Sequence, residues 1–147
     1  MKATISIRME ASVSRMWTEL QRTASLMHVA SPMLVFKPQA GHPLSAEWKA
    51  GNTYALDLYA FYILPLGQYF IHVNKIDHEA FEIFTHEHGS LTKTWNHRIL
   101  VKPLDDSAIL YTDEIEIDAG ILTLFIWAFA HVFYRHRQRR WKRLLSN

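Results

Sequence analysis

Four residues with acid–base or hydrogen-bonding side chains fall on three consecutive predicted strands: Glu87, His97, Tyr111 and Asp113. A histidine beside a carboxylate can form an acid–base pair, and the same groups can hold the polar end of a ligand. Either chemistry requires these side chains on one face of a sheet. The alternation of each strand therefore decides whether they meet.

Strand alternation places all four on the apolar face. In residues 92–102 that face carries Trp95, His97, Ile99 and Val101. In residues 109–117 it carries Ile109, Tyr111, Asp113, Ile115 and Ile117. The preceding strand adds Phe81, Ile83, Thr85 and Glu87. Registers that keep these faces together put His97 either opposite Asp113 or one pair away from it, which leaves the two side chains within reach.

Three interpretations of this polar cluster stay open at this point. It can brace the sheet as a self-satisfied network, anchor the polar end of a ligand, or supply an acid–base pair. The predicted ligand-binding residues are Glu87, Trp95, His97, Ile99, Tyr111, Asp113 and Ile115. No catalytic residue is assigned.

The sequence predicts no metal and no cofactor. His86 and His88 share a strand face, but Thr94 and Asn96 lie on the same face, which indicates solvent exposure, and no third ligand is evident. The chain has no cysteine, which excludes disulfides and thiolate zinc sites. It also lacks a glycine-rich phosphate loop and a serine-nucleophile motif.

The order of predicted elements defines the fold class. A first strand over residues 2–9 is followed by two short helices, the first capped by Ser12, and then by about six strands. An apolar run from Ala119 continues into a basic segment without proline, which predicts one long C-terminal helix. We therefore expect one α+β domain over 1–147, in which an antiparallel sheet wraps around the C-terminal helix in a helix-grip arrangement.

This order resembles the START-related (SRPBCC) superfamily, which includes the birch pollen allergen, lipid-transfer domains and polyketide cyclases. Three segments are similar to patterns in uncharacterised cyclase-like members: Gly51-Asn52-Thr53-Tyr54, Trp95-Asn96-His97 and Tyr111-Thr112-Asp113-Glu114. The resemblance implies a hydrophobic cavity between sheet and helix. It favours binding of a small hydrophobic ligand with a polar end. A cyclase- or dehydratase-type enzyme using the same cavity is the alternative.

The C-terminal segment raises the question of partners. Residues 135–143 carry six of the 16 Lys and Arg residues and no acidic residue. This pattern indicates a solvated basic helix end, or a contact with an anionic membrane surface; nucleic acid is disfavoured.

The apolar run over 119–134 is shorter than the roughly 20 residues of a membrane span. It exceeds what one sheet face can cover, which predicts a residual apolar patch that Leu64 and Leu66 extend, and a homodimer. The N-terminus has no signal-peptide pattern, and we expect a cytoplasmic protein.

Overall fold

A computed structural model describes residues 1–146. Its strands are β1 (Lys2–Met9), β2 (Leu34–Pro38), β3 (Thr53–Ala60), β4 (Leu64–Asp77), β5 (Glu82–Gly89), β6 (Thr94–Pro103) and β7 (Ile109–Asp118). Its helices are α1 (Val13–Gln21), α2 (Thr23–Ala30) and α3 (Thr123–Leu145), the last preceded by a 3-10 turn at Gly120–Leu122.

The strands form a single antiparallel sheet in the order β1-β7-β6-β5-β4-β3-β2. Hairpins join consecutive strands from β2 to β7, and β1 closes the order beside β7. A register shift between Val73 and Lys75 marks a bulge in the long strand β4, and bulges increase the bend and twist of a strand. The predicted helix-grip architecture, with two short helices after the first strand, is confirmed.

The C-terminal helix begins later than the sequence predicted. Gly120 has a φ of +63°, which is incompatible with a right-handed helix, and the α-helix starts at Thr123. The Thr123 hydroxyl accepts a hydrogen bond from the backbone N–H of Ala119 at 2.9 Å. This contact turns the chain from β7 into α3.

The segment Leu64-Pro65-Leu66-Gly67 contains proline and glycine and predicts the turn of the β3–β4 hairpin, but the structure differs. The chain reverses at residues 61–63 instead, and Leu64 pairs with Ala60. Phe61 and Tyr62 have φ values of +52° and +66°, in the left-handed region that disfavours bulky residues. The apolar tip therefore lies three residues earlier in the chain.

Apolar side chains between the sheet and the helices form two clusters. We call the first the cavity end; its members include Leu34, Leu56, Leu58, Tyr69, Trp95, Ile115, Phe133 and Tyr134. We call the second the closed end; its members include Met9, Met16, Leu20, Val29, Ile99, Ile109, Tyr111 and Trp141. Helix α3 contributes to both clusters, so the two meet along its length.

Candidate functional site

A layer of polar side chains crosses the core where the two clusters meet. On β6, His97 lies between Trp95 of the cavity end and Ile99 of the closed end. On β7 and α3 the same boundary is occupied by Asp113 and by Arg137 with Gln138. Together with Glu87 of β5, these residues are the polar layer: Glu87, His97, Asp113, Arg137 and Gln138.

Asp113 is the most deeply buried member of the polar layer, with no exposed surface. One carboxylate oxygen, Oδ1, accepts hydrogen bonds from His97 Nε2 at 2.7 Å and from the Tyr111 hydroxyl at 3.0 Å. The other, Oδ2, accepts from Gln138 Nε2 at 3.0 Å, and the same amide donates to the Ile5 carbonyl at 2.7 Å. Asp113 and Gln138 together thus connect α3 to β1, β6 and β7.

The register explains why His97 reaches Asp113. His97 pairs with Ile115, and Ile99 pairs with Asp113, so the two polar side chains are diagonal neighbours on the inner face. This is the second of the two registers expected from the sequence. The predicted contact between His97 and Asp113 is confirmed.

Glu87 forms a second set of hydrogen bonds beside the first. Its Oε1 accepts from the Tyr69 hydroxyl at 2.7 Å, and its Oε2 accepts from the Thr85 hydroxyl at 2.6 Å. The same Oε2 lies 3.9 Å from Nδ1 of His97. The imidazole therefore lies between two carboxylates, close to Asp113 and farther from Glu87.

Arg137 is the unexpected member of the polar layer. Only 6% of its surface is exposed, although the sequence placed it in a solvated basic segment. The guanidinium carbon lies 5.8 Å from the ring centre of Phe133 and 5.1 Å from that of Tyr134. Its Nε and Nη2 are buried and have no hydrogen-bond partner within residues 1–146. The expectation of a fully solvated basic end is wrong for this residue, because its position on α3 points toward the sheet.

The environment fixes the protonation of the acidic groups. Burial is the largest influence on Asp113 and opposes ionisation, but the hydrogen bond and charge of His97, with help from Arg137 and Gln138, outweigh it. The pKa of Asp113 consequently lies below its usual range. Burial, reinforced by the neighbouring carboxylates, raises the pKa of Tyr69 and of Tyr111. Asp113 is therefore an ionised acceptor, and these tyrosines are protonated donors.

Two cavities adjoin the polar layer. The larger has a volume of about 330 Å³ and lies at the cavity end, between α3 and strands β2 to β6. Its walls are mostly apolar, with Phe36, Leu58 and Phe129 among them, and Trp95 and Tyr134 line it near the polar layer. The smaller, of about 60 Å³, has His97 and Ile99 in its wall. Glu87 and Arg137 line both cavities, so they lie between the two.

Exposed apolar side chains surround the outer end of the larger cavity. Leu64, Leu91 and Phe125 line it and are nevertheless exposed, Phe125 by 77%. Further exposed apolar residues occupy the β3–β4 tip and the start of α3: Phe61, Tyr62, Ile63, Ile121, Leu122 and Leu124. Exposed apolar residues of the kind expected from the sequence are present, and Leu64, Leu91 and Phe125 among them lie at the mouth of the larger cavity.

The mouth is also shaped by a close backbone approach. Gly67 has a φ of +92°, and a Cβ atom there would come within 2.7 Å of the Ser90 Cβ. The Ser90 hydroxyl accepts a hydrogen bond from the Gln68 N–H at 3.1 Å. Only glycine at position 67 allows the turn at residues 90–93 to lie this close to β4. This contact fixes the turn that carries Leu91.

The predicted ligand-binding residues divide between cavity and core. Glu87 and Trp95 line the larger cavity, and Glu87, His97 and Ile99 line the smaller. Tyr111, Asp113 and Ile115 line neither and are buried in the core. The ligand-binding roles of all these residues stay predictions.

The sequence did not predict the residues that α3 contributes to the polar layer and the core. Arg137 and Gln138 each lie three or four positions from both Tyr134 and Trp141, so the four residues share one face of the helix. One signal was available: Arg137 lies on the same helix face as the aromatic residues Tyr134 and Trp141, which indicates a buried position. The cationic residues around Arg137 favour the prediction of a solvated basic segment and obscure this signal.

Comparison with known proteins defines the fold. No protein-family model matches the sequence, and no curated protein matches it closely. Among solved structures, a protein from Chromobacterium violaceum has a TM-score of 0.78 at 13% identity, over 99% of this chain and 97% of that one. A START superfamily protein from Mycobacterium smegmatis has a TM-score of 0.73 at 13% identity, over 99% and 97%.

Norcoclaurine synthase from Thalictrum flavum, solved in complex with dopamine and hydroxybenzaldehyde, is also similar. Its TM-score is 0.70 at 13% identity, over 99% of this chain and 86% of that one. These similarities show that the chain has the helix-grip fold of START-related proteins, as the sequence predicted. No helix within residues 1–146 is both long and apolar enough to cross a membrane.

Proposed function

We propose that this protein binds a small hydrophobic ligand with one polar end in the larger cavity. The observation that carries the proposal is the lining of that cavity: apolar side chains form most of its wall, and Glu87 and Arg137 of the polar layer also line it. Its volume of about 330 Å³ falls within the range of roughly 300–1,000 Å³ for ligand sites. The complex of norcoclaurine synthase with two aromatic molecules supports the use of this fold for such ligands.

Native mass spectrometry of the purified protein tests whether a small molecule copurifies. A cavity-filling variant then tests where it binds. Ala60 lines the larger cavity, whereas Ala55 lies on the opposite face of the same strand. Ala60→Trp should abolish binding of a fluorescent fatty-acid probe, and the matched control Ala55→Trp should leave it unchanged. Equal binding by both variants would contradict the proposal.

The second candidate is an enzyme of cyclase or dehydratase type that uses the same cavities. His97 favours it, because the imidazole is held by Asp113 and borders the smaller cavity next to Glu87. A binder returns its copurified ligand unchanged after incubation with excess protein. An enzyme would convert it, and His97→Asn would stop the conversion while leaving binding intact.

The apolar patch at the cavity mouth supports a homodimer as the assembly. Phe125 and Leu64 line the mouth and are largely exposed, and Ile121 and Leu124, close to Phe125 in sequence, are exposed too. Burying such a patch against a second copy is a common solution for soluble proteins. Sedimentation at micromolar concentration should give a dimer. A monomer that cosediments with anionic liposomes would favour a membrane surface instead.

A further inference from the structure

We infer that the polar end of the ligand is a carboxylate, and that Arg137 binds it through the Nε–Nη2 edge of its guanidinium. This inference rests on the cavity-binding function proposed above and names the chemical class of the ligand.

The first observation is a buried guanidinium with two donors that lack a hydrogen-bond partner. Arg137 is 6% exposed, and its Nε and Nη2 donate no hydrogen bond within the described residues. No carboxylate of residues 1–146 lies within ion-pair distance of it. Burial opposes the charge of Arg137, but the nearby charges of Asp113 and Glu87 favour it and raise the pKa of Arg137. Its two buried donors nevertheless lack acceptors, and buried donors are nearly always paired. A group that enters the cavity and accepts from both donors would satisfy them.

The geometry of the two unpaired donors, Nε and Nη2 of Arg137, determines which ligand group can accept from both. Nε and Nη2 form one edge of the planar guanidinium, and their two N–H groups point in parallel. The two oxygens of a carboxylate match this edge and accept both hydrogen bonds at once. A single hydroxyl or ether oxygen does not have this two-point geometry.

The protein's own carboxylates are already engaged. Both oxygens of Glu87 accept from Tyr69 and Thr85, and both oxygens of Asp113 accept from His97, Tyr111 and Gln138. The rings of Phe133 and Tyr134 lie close to the guanidinium carbon and contribute no acceptor. The free edge therefore remains for a group that the chain does not supply.

Charge distinguishes a carboxylate from a phosphate. Glu87 and Asp113 already place two acidic groups in the polar layer with Arg137. A phosphate monoester carries about −1.5 to −2 charges at neutral pH, and the neighbouring carboxylates would repel it more strongly than they repel a monoanion. A monocarboxylate with an apolar body fits both the cation and the apolar wall.

The experiment compares carboxylates and alcohols with identical tails. Straight-chain fatty acids of graded length and the corresponding fatty alcohols are titrated into the protein by calorimetry, and thermal melting confirms that each variant is folded. The variants are Arg137→Met, which removes the charge, and Arg137→Lys, which keeps the charge but loses the two-point edge. Arg139→Met, an exposed position on the same helix, is the control.

We expect the wild type to prefer the fatty acid by about tenfold to hundredfold, the usual effect of hydrogen bonds to a charged group. Arg137→Met should lose the preference yet still bind the alcohol, Arg137→Lys should keep only part of it, and Arg139→Met should match the wild type. Equal affinity of the wild type for acid and alcohol would overturn the carboxylate assignment while leaving the cavity function standing. Binding of neither series would overturn both.

Discussion

The two ends of the core are built from similar buried apolar residues but differ in the empty space that adjoins them. At the closed end Met16, Leu20 and Ile109 have no exposed surface. The cavity end instead adjoins a cavity of about 330 Å³, which Leu64 and Phe125 also line from outside the buried cluster and where they are mostly exposed. The contrast indicates that the closed end supplies stability, whereas the cavity end keeps space at the expense of packing.

Helix α3 repeats this contrast along its own length. Its first turns are apolar and largely exposed, with Leu124 and Phe125 as examples. Its later turns carry charged and polar residues and yet bury Arg137, Gln138 and Trp141. Apolar residues are usually buried and polar residues exposed, but along α3 the reverse holds. The sheet covers the second half of the helix, whereas the first half lies at the open mouth of the cavity.

The largest effect should come from the polar layer that separates the two ends. Asp113→Asn places an amide N–H₂ where the carboxylate accepts hydrogen bonds from His97, Tyr111 and Gln138. Breaking a buried charged network of this kind costs about 3–5 kcal/mol of unfolding free energy. Urea denaturation measures the loss.

The matched control is Glu114→Gln, because Glu114 is the next residue on β7 and is only partly buried on the outer face. Glu114→Gln should lose little unfolding free energy, since exposed ion pairs contribute about 0–1 kcal/mol. A similar small loss for Asp113→Asn would mean that the polar layer does not support the fold.

The next largest effect should be a difference in unfolding free energy between side-chain truncations at the two ends of the core. Leu20→Ala at the closed end removes a fully buried side chain and should cost about 2–5 kcal/mol. Leu66→Ala changes the same residue type beside the larger cavity, where the side chain is only partly buried. It should cost less, because less contact is lost. Thermal or urea unfolding gives both values, and equal losses would remove the distinction between the ends.

A smaller, pH-dependent effect follows from Asp113. Its folded-state pKa is below the unfolded value of about 3.9. The ionised carboxylate therefore stabilises the fold fully above about pH 4, and this contribution is lost as the pH falls through the folded-state pKa. Asp113→Asn lacks the contribution at every pH, so the stability difference between it and the wild type should narrow on acidification. A constant difference down to pH 2 would contradict the lowered pKa.

Local patterns were sufficient to predict the sheet. Alternation in residues 92–102 and 109–117 placed His97 and Asp113 on one inner face, and the structure has them 2.7 Å apart. The alternation of a strand is a strict period of two, so the inner face follows once the strand is recognised.

The helix contribution could not be predicted in the same way. Whether Arg137 faces water or the sheet depends on the rotation of α3 over the sheet, which is a tertiary property. The β3–β4 turn was misplaced for a different reason, because Phe61 and Tyr62 adopt positive φ, a conformation that sequence rules reserve for glycine and asparagine. In both cases the residues depart from their ordinary preference: Arg137 is a buried cation, and Phe61 and Tyr62 are bulky residues with positive φ.

The tightness of the β3–β4 tip has a consequence for the kinetics of ligand exchange. Residues 61–63 reverse the chain within a turn closed by the Ile63 N–H to Ala60 carbonyl hydrogen bond, and the Phe61 N–H donates to the Pro32 carbonyl at 2.9 Å. A turn this short and this well bonded offers no hinge for a swinging lid. Passage into the cavity is then limited by rotation of side chains such as Leu64 and Phe125, and exposed side chains rotate in picoseconds to nanoseconds. We therefore expect exchange rates set by the affinity of the ligand rather than by loop opening.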